Sequence, residues 1–386
     1  MKIAFVLDDS LDKADGVQQY VLTLGHWYTQ QGHEVHYLVG ETKRRDVRHV
    51  HSLSKNLRVH FNQNRMSTPM PAKRSDIKKL LAKENFDVLH VQMPYSPFLA
   101  ARIIRAFTPS TAVVGTFHIV PYSWQERIAT RVLRMLVWRS RRRFDLVVSV
   151  SEPARRFAKR SFGMKSIVVP NVVNVGAFHN GKKIRKYSDG KITMVFLGRL
   201  VPRKGCLQLL QAVQLLHTDR LTDGMRVIIC GKGPEEKALV DYVHKHRLSK
   251  SVQFVGFVSE IEKANYLASA DIAVFPSTGG ESFGIVLIEA MAAKSGVVLG
   301  GDNIGYSSVL KGRPAQLFNP NDAVKFAKVL KAFAFNAPAR KRALTWQAEQ
   351  IPKYDVSKVG TLLIDLYEQV IAKKVQEKDN ITNGSK

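Results

Sequence analysis

The chain is poor in cysteine and in long apolar runs. Only Cys206 and Cys230 occur among its 386 residues, with no metal-ligand spacing around them, so we expect no disulfide scaffold and a reducing compartment. No apolar run approaches the roughly 20 residues that span a bilayer. The first run, Ile3–Leu7, is too short for a secretory signal peptide and is followed by two aspartates. An integral membrane protein is therefore not predicted.

Acidic residues are also scarce, because 32 Asp and Glu stand against 59 Lys and Arg, which gives a formal net charge of +27. Such an excess indicates an anionic partner, which by composition alone is a nucleic acid, a phospholipid or a phosphorylated ligand. The chain has no complete Gly-x-Gly-x-x-Gly fingerprint, which argues against a dinucleotide-dependent oxidoreductase.

Apolar strands and amphipathic helices alternate along the chain, first from Lys2–Leu7 onward and again from Ile192–Leu197 onward. This alternation predicts an α/β protein with two doubly wound parallel-sheet, Rossmann-like domains that face each other across a ligand cleft. We predict a first domain over 1–170, a linker over 171–190, a second domain over 191–356, a C-terminal helix over 357–373 that crosses back to the first domain, and a polar tail over 374–386.

The strongest chemical motif is Glu281–Glu289, which follows a strand and opens an apolar helix predicted over Phe283–Ala293. The free N–H groups of a helix N-terminus bind anions, so we expect a diphosphate there. Glu289 is predicted about two turns inside the helix, roughly 9 Å along its axis. Two glutamates at this spacing are by themselves ordinary helix residues, but the glycine-rich context favours binding. The expected contacts to the diphosphate are Ser282, Phe283, Gly284, Ile285 and Val286.

The pattern Glu-x7-Glu preceded by Phe275-Pro276-Ser277 resembles that of the glycosyltransferase 4 family, and within it the phosphatidylinositol mannosyltransferases. The resemblance covers nearly the whole chain and implies the GT-B architecture. It also implies that Glu281 contacts the donor sugar near the reacting carbon and that Glu289 hydrogen-bonds the ribose. The chain has no Asp-x-Asp metal motif, which argues against the metal-dependent GT-A enzymes.

A second motif, Gly198–Gly205, follows the strand Ile192–Leu197 and carries cations to its carboxyl end. Fixed cations there stabilise the charge of a departing diphosphate, whereas the simpler interpretation is a pair of surface cations in a turn. The resemblance implies that Arg199 and Lys204 bind the donor pyrophosphate. Arg203, next to Lys204, is expected to face the acceptor.

The first domain contributes two weaker signals at strand ends. Gly16 lies in the loop after the first strand, where a glycine lets backbone N–H groups approach a phosphate. The family usually has two adjacent glycines, whereas this chain has Asp15 before Gly16. His118 ends the strand Ala112–Phe117, and the resemblance implies that it contacts the donor sugar. Gln18 is expected on the acceptor side.

Two basic clusters also lie in the first domain. One is the segment Arg127–Arg143, with seven arginines and no acid, on a helix predicted over Gln125–Arg142; the other is on a helix predicted over Ser75–Glu84. A basic amphipathic helix suits an anionic lipid surface, whereas a solvated helix face is the plain alternative. The expected membrane contacts are Lys73, Arg74, Lys78, Lys79, Arg127, Arg131, Arg134, Trp138, Arg141 and Arg142.

These expectations describe a retaining glycosyltransferase that moves a hexose, mannose or glucose, from a GDP- or UDP-linked sugar to a lipid acceptor such as phosphatidylinositol or another glycolipid. We expect it at the cytoplasmic face of the cell membrane, as a peripheral protein. No cofactor is expected to be required, and the sequence does not indicate a divalent cation. A soluble or polyprenyl-linked acceptor is one alternative. A nucleic-acid-binding protein is a more remote one, because no recognition helix or aromatic strand set supports it.

Overall fold

The structure is a computed structural model that describes residues 1–12, 15–61, 64–70, 72–120, 124–294 and 296–383. Within 57–61, 64–69, 124–129 and 381–383 it describes the backbone alone. The chain divides into two compact units. The first consists of Met1–Val172 and Val356–Lys386, and the second of Val173–Asp355.

The first unit is built on a parallel sheet. Its strands are β1 Lys2–Leu7, β2 Glu34–Val39, β3 Val50–Ser52, β6 Val88–Gln92, β7 Ala112–Phe117, β8 Leu146–Ser149 and β9 Ile167–Val168, and a separate antiparallel pair is formed by β4 Asn56–Phe61 and β5 Asn64–Pro69. The order in the sheet is β3-β2-β1-β6-β7-β8-β9. Residues 3–7 are apolar and buried throughout, as expected of a strand covered on both faces.

Helices cover this sheet, and the last of them comes from the far end of the chain. They are α1 Gly16–Gln30, α2 Arg74–Glu84, α3 Leu99–Ala106, α4 Trp124–Leu136, α5 Glu152–Phe157 and α14 Val356–Asn383. Helix α14 buries Val359, Leu363 and Tyr367 in the same core as β1. The hydroxyl of Tyr367 lies 2.6 Å from Nδ1 of His90, which fixes the helix against the centre of the sheet.

The second unit repeats the pattern. Its strands are β10 Ile192–Leu197, β11 Met225–Cys230, β12 Val252–Gly256, β13 Ile272–Phe275, β14 Val297–Gly301 and β15 Leu317–Phe318. Its helices are α6 Val175–His179, α7 Cys206–Thr218, α8 Glu236–Lys245, α9 Glu260–Ala268, α10 Ile285–Ala292, α11 Tyr306–Val309, α12 Ala323–Phe335 and α13 Ala337–Gln350. All the strand pairs are parallel and the order is β12-β11-β10-β13-β14-β15.

In each sheet the strand order reverses once, between β1 and β6 in the first unit and between β10 and β13 in the second. Loops leave in opposite directions at such a point and open a crevice at the carboxyl ends of the strands, where ligands bind in open α/β sheets. The predicted α/β class with two doubly wound parallel sheets is confirmed.

Three segments differ from the sequence expectations. Residues 173–190, expected in a linker, belong to the second unit and bury Phe178 and Tyr187 there. The last helix continues to Asn383, beyond the expected 373. Helix α4 ends at Leu136 instead of Arg142, because the backbone tightens into a 3-10 turn that buries Val137 and Ser140. No helix among the described residues is long and apolar enough to cross a membrane.

Candidate active site

The loops after β10 and β13 are joined at the carboxyl end of the second sheet. The carbonyl oxygen of Arg203 accepts a hydrogen bond from Ser277 Oγ at 3.0 Å and another from the backbone N–H of Thr278 at 2.9 Å. Gly205 has φ +74°, and a Cβ there would collide with the carbonyl oxygen of Pro276. Only glycine lets the two loops approach this closely, and the approach places their side chains together.

Three charged side chains meet where these loops join. Oε1 of Glu281 accepts hydrogen bonds from Nη1 of Arg203 at 2.8 Å, from Nζ of Lys204 at 2.8 Å and from Oγ of Ser277 at 3.0 Å. The side chain of Arg203 is only 8% exposed. Arg203 was expected to face the acceptor, and the structure instead places its guanidinium on Glu281.

Positive charge exceeds negative charge at this cluster. Burial disfavours the charge of Glu281, but Lys204 and Arg203 outweigh it and lower the pKa of the carboxyl, which is therefore ionised. The pKa of Lys204 is also lowered, by burial and by the repulsion of Arg203 and Arg199, even though Glu281 opposes the shift. One carboxylate thus balances a group of three cations, and an anionic ligand would relieve the repulsion among them.

The helix expected to start at Phe283 begins two residues later. Gly284 precedes it with φ +109°, a conformation that favours glycine, and α10 starts at Ile285. Glu289 therefore lies about one turn into the helix, roughly 6 Å along its axis, instead of the expected two turns. Phe283 is buried and packs edge-on against Tyr354. The free N–H groups of the helix start are therefore those of the residues from Ile285 onward.

Glu289 is paired with a lysine that the sequence analysis did not identify. Nζ of Lys263, on α9, donates to Oε1 of Glu289 at 2.8 Å, and both side chains are 6% exposed. Burial raises the pKa of Glu289, while Lys263 opposes the shift; burial also opposes the charge of Lys263, but Glu289 and Glu260 outweigh it and raise its pKa. The lysine lies 26 residues before its partner, and no local pattern relates the two positions.

In the first unit, His118 follows the carboxyl end of β7 and is buried. Its Nε2 lies 2.7 Å from Oε1 of Gln92, whose amide nitrogen donates to the carbonyl oxygen of His90. The amide orientation is thus fixed, and Nε2 of His118 carries the proton. Burial lowers the pKa of His118 to about 3, so the ring is neutral at physiological pH. The ring of Tyr20 packs edge-on against it, with centroids 4.8 Å apart.

Gly16 and Gln18 lie in the first turn of α1, the helix that carries Tyr20. Gly16 is its first residue and is exposed. Gln18 is buried, and its Nε2 donates to the carbonyl oxygen of Ser10 at 3.1 Å, so it holds the loop after β1.

Asp8, which the sequence analysis passed over, ends β1 beside this loop. Its carboxylate accepts hydrogen bonds from the Ser96 hydroxyl and from the N–H of Ala100 at the start of α3. Burial raises its pKa to about 6, although these bonds oppose the shift. The signal was present in the sequence, because a carboxylate directly follows a buried apolar strand.

The basic cluster around α4 is joined by exposed apolar side chains. Met135 is 73% exposed, and Val132, Leu136 and Trp138 are also exposed. The guanidinium groups of Arg139 and Arg142 lie over the Trp138 ring, at 5.3 and 5.0 Å from its centroid. Apolar and cationic groups therefore share one surface.

Most of the predicted membrane contacts are exposed, with two exceptions. Arg141 is half-buried and donates to the carbonyl oxygen of Phe162, because the helix that should have presented it ends at Leu136. The side chain of Arg127 lies outside the described residues. The exposed members are Lys73, Arg74, Lys78, Lys79, Arg131, Arg134, Trp138 and Arg142.

The predicted donor-site residues are thus only partly assembled with one another. Lys204 and Glu281 are in contact, and Arg199 acts on Lys204 electrostatically. Glu289 is bound to Lys263. The remaining predicted residues Gly16, Gln18 and His118 belong to the first unit.

Comparisons with known proteins agree with this arrangement. Residues 14–176 match the model of Glycosyltransferase Family 4, and residues 179–344 match that of Glycosyl transferases group 1. A phosphatidyl-myo-inositol mannosyltransferase of Mycobacterium leprae is 30% identical over 374 residues, which make up 96% of this chain and 97% of the relative. The protein of the same name from Mycolicibacterium smegmatis is 30% identical over 96% of this chain and 94% of its own length.

Solved structures share the fold at low sequence identity. A glycosyltransferase from Rickettsia africae has a TM-score of 0.74 at 16% identity, covering 96% of this chain and 98% of its own. The Anabaena protein HepE, solved in complex with UDP and glucose, has a TM-score of 0.73 at 16% identity, covering 95% and 99%. These similarities confirm the expected GT-B architecture.

Proposed function

This chain belongs to the glycosyltransferase 4 family, and we propose that it transfers a hexose, with mannose as the first candidate, from a nucleoside diphosphate sugar to a phosphatidylinositol-type lipid with retention of anomeric configuration. The observation that carries the proposal is the cluster of Arg203 and Lys204 on Glu281 beside the start of α10. The names of the mannosyltransferase relatives support the choice of sugar and acceptor.

The cation excess supports a diphosphate at this cluster. A nucleoside diphosphate carries its charge on oxygens that accept hydrogen bonds from ammonium and guanidinium groups. Arg199 and Lys204 supply the cations, and the N–H groups at the start of α10 supply further donors. These groups stabilise the charge that develops on the diphosphate as the bond to the sugar breaks.

Glu281 is the group we assign to the sugar. Its carboxylate is ionised, and Oε1 is fixed by three donors, so its position is defined before any ligand binds. A fixed negative charge stabilises positive charge developing at the reacting carbon of a sugar. His118 supplies a neutral, fixed ring for a contact to the donor sugar, and Glu289 supplies the carboxylate for the ribose.

A membrane-bound acceptor is supported by the surface around α4. A lone basic helix face suits solvent, but exposed Val132, Met135 and Leu136 favour burial in an interface, and Trp138 lies among them. Each cation near an anionic leaflet contributes about 1 kcal/mol to binding. We therefore assign this surface to a peripheral contact with anionic lipid.

The donor is tested by thermal shift with GDP, UDP and ADP and their sugars. We expect one nucleotide family to raise the melting temperature of the wild type, since a ligand that binds only the folded state stabilises it. The same ligand should leave Lys204→Ala unshifted, while the matched control Lys250→Ala, at an exposed lysine of the same unit, should shift like the wild type. No shift with any nucleotide would remove the donor site.

The acceptor is tested by transfer of radiolabelled sugar to vesicles of phosphatidylcholine with and without phosphatidylinositol. Label in the lipid fraction only when phosphatidylinositol is present supports the proposal. Donor consumption without lipid labelling would direct the assignment to a soluble acceptor. Co-sedimentation with anionic vesicles at low salt, weakened in the double variant Met135→Ser/Leu136→Ser, tests the surface around α4 separately.

A further inference from the structure

Three histidines and two glutamates gather at one edge of the first sheet, among residues that the proposed reaction does not use. Glu34 and His36 lie on β2, His49 and His51 lie at the edge strand β3, and Glu84 is the last residue of α2. Strand pairing and the end of a helix bring them together. The sequence shows no motif here, because the spacings reflect the topology and no local turn.

His36 is the centre of this cluster. Its Nδ1 lies 2.9 Å from Nε2 of His51, and its Nε2 lies 2.8 Å from Oε1 of Glu34 and 4.0 Å from Oε2 of Glu84. The rings of His49 and His51 stack on it, with centroids 4.6 and 5.2 Å away. His36 itself is buried, so its ring is held by its neighbours.

The donor atoms are close enough to share one ion. One donor atom from each of His36, His51 and Glu84 lies within 4.8 Å of the others, and the same holds for Glu34, His36 and His49. Ligand atoms around a tetrahedral zinc ion are about 3.3 Å apart, given bonds of about 2.0–2.2 Å. Side-chain movements of the order of an ångström would therefore close the site.

The donor chemistry selects the kind of ion. Imidazole nitrogen combined with carboxylate oxygen suits zinc and its neighbours in the first transition row, whereas magnesium and calcium prefer oxygen alone. Metal ligation needs neutral imidazole. Burial and the neighbouring His36 lower the pKa of His51, which keeps that ring neutral at physiological pH.

A lysine occupies part of the cluster. Nζ of Lys2 donates to Oε2 of Glu84 at 2.7 Å and lies 3.2 Å from Oε1 of Glu34. The ammonium group balances the carboxylates, but it cannot pair with the stacked imidazoles. An ionised carboxylate has lone pairs for more than one partner, so Glu84 is able to serve Lys2 and an ion together.

We propose that His36, His51 and Glu84 bind a divalent transition-metal ion of the zinc type, with Glu34 and His49 as further donors. The ion joins the edge strand β3 to the end of α2, which are the two elements that flank the β4–β5 pair in the sequence. Its role is structural: it holds both ends of that segment on the sheet. This site is independent of the proposed transfer reaction.

The test uses the full chain without a polyhistidine tag, stripped of metal and titrated at neutral pH with Zn²⁺, with Co²⁺ and with Mg²⁺ as the control ion. We expect one Zn²⁺ or Co²⁺ per chain by calorimetry, a visible absorption band from bound Co²⁺, and no heat from Mg²⁺. His51→Gln and Glu84→Gln should each weaken binding by about tenfold or more. His26→Gln, at an exposed histidine of α1, should bind like the wild type.

Absence of stoichiometric binding by the wild type would overturn the site, and so would wild-type affinity in either of the two ligand variants. Circular dichroism and the melting temperature without metal establish that each variant is folded. X-ray absorption by the zinc-loaded wild type needs no variant. Scattering from two or more imidazoles supports the site, and scattering from fewer overturns it.

Discussion

Replacing Glu281 by glutamine tests the central assignment, because it keeps the size of the side chain and removes its charge. In the wild type Oε1 of Glu281 receives Nη1 of Arg203 and Nζ of Lys204, each at 2.8 Å. The amide oxygen of glutamine still accepts hydrogen bonds, but the cations lose the charge that balances them. Positive charge at the reacting carbon loses its nearby carboxylate in the same step.

The two losses have opposite signs for the two ligand states. Removing one preorganised electrostatic contact to a transition state lowers turnover roughly 100- to 1000-fold, equivalent to about 2.7–4 kcal/mol. Binding of the free nucleoside diphosphate should not weaken, because the cations of Arg199, Arg203 and Lys204 no longer share their charge with a carboxylate. We therefore expect Glu281→Gln to lower kcat strongly while the Kd for the diphosphate stays equal or falls.

The assay measures transfer at saturating donor and, separately, diphosphate binding by calorimetry. Glu349→Gln, at an exposed carboxylate of α13 in the same unit, is the matched control and should leave both quantities unchanged. Thermal unfolding establishes that both variants are folded. Turnover within about threefold of the wild type, or a loss of diphosphate affinity parallel to the loss of turnover, would refute the reasoning.

Three further predictions concern stability. Lys263→Met should destabilise the second unit by about 3–5 kcal/mol, since it leaves Glu289 buried without its partner, and Lys263→Met/Glu289→Leu should recover most of the loss; hydrogen exchange of peptides from α9 and α10 measures both. Gly205→Ala should lower the melting temperature far more than Gly190→Ala, because both glycines have positive φ but only the first would place a Cβ against a carbonyl oxygen, worth about 3 kcal/mol or more. Asp8→Asn should raise the melting temperature above neutral pH and leave it unchanged near the model-compound pKa of 3.8: the folded pKa of about 6 is higher, so the wild type loses roughly 3 kcal/mol of stability as pH rises through that interval.

The sequence predicted the sheets well because buried parallel strands have an unambiguous pattern. Residues 3–7 and 272–275 are continuous apolar runs, and the structure has strands at both. The pattern failed at α4, where the basic residues continue evenly past Leu136. What ends the helix is the burial of Val137 and Ser140, which depends on the neighbouring elements and has no local signal.

The sequence also predicted which residues surround the donor, but not how they pair. Strand ends identified Lys204, Glu281 and His118, since parallel strands deliver their following loops to one edge of a sheet. The partner of Glu289 is Lys263, 26 residues away on another helix, and Arg203 is bound to Glu281 although its position suggested the acceptor. Pairing of this kind depends on distances between elements, which periodicity does not contain.

Burial gives the two groups assigned to the donor sugar different charge states, and the difference suits the proposed reaction. His118 stays neutral at physiological pH, because its pKa falls to about 3 and its Nε2–H is donated to Gln92. Glu281 stays ionised, because two cations bind its Oε1. An imidazolium would repel positive charge developing on a sugar, whereas a neutral ring does not. Environments that separate the charge states of two titratable groups are a means of assigning them different roles, here a fixed neutral contact and a fixed negative charge.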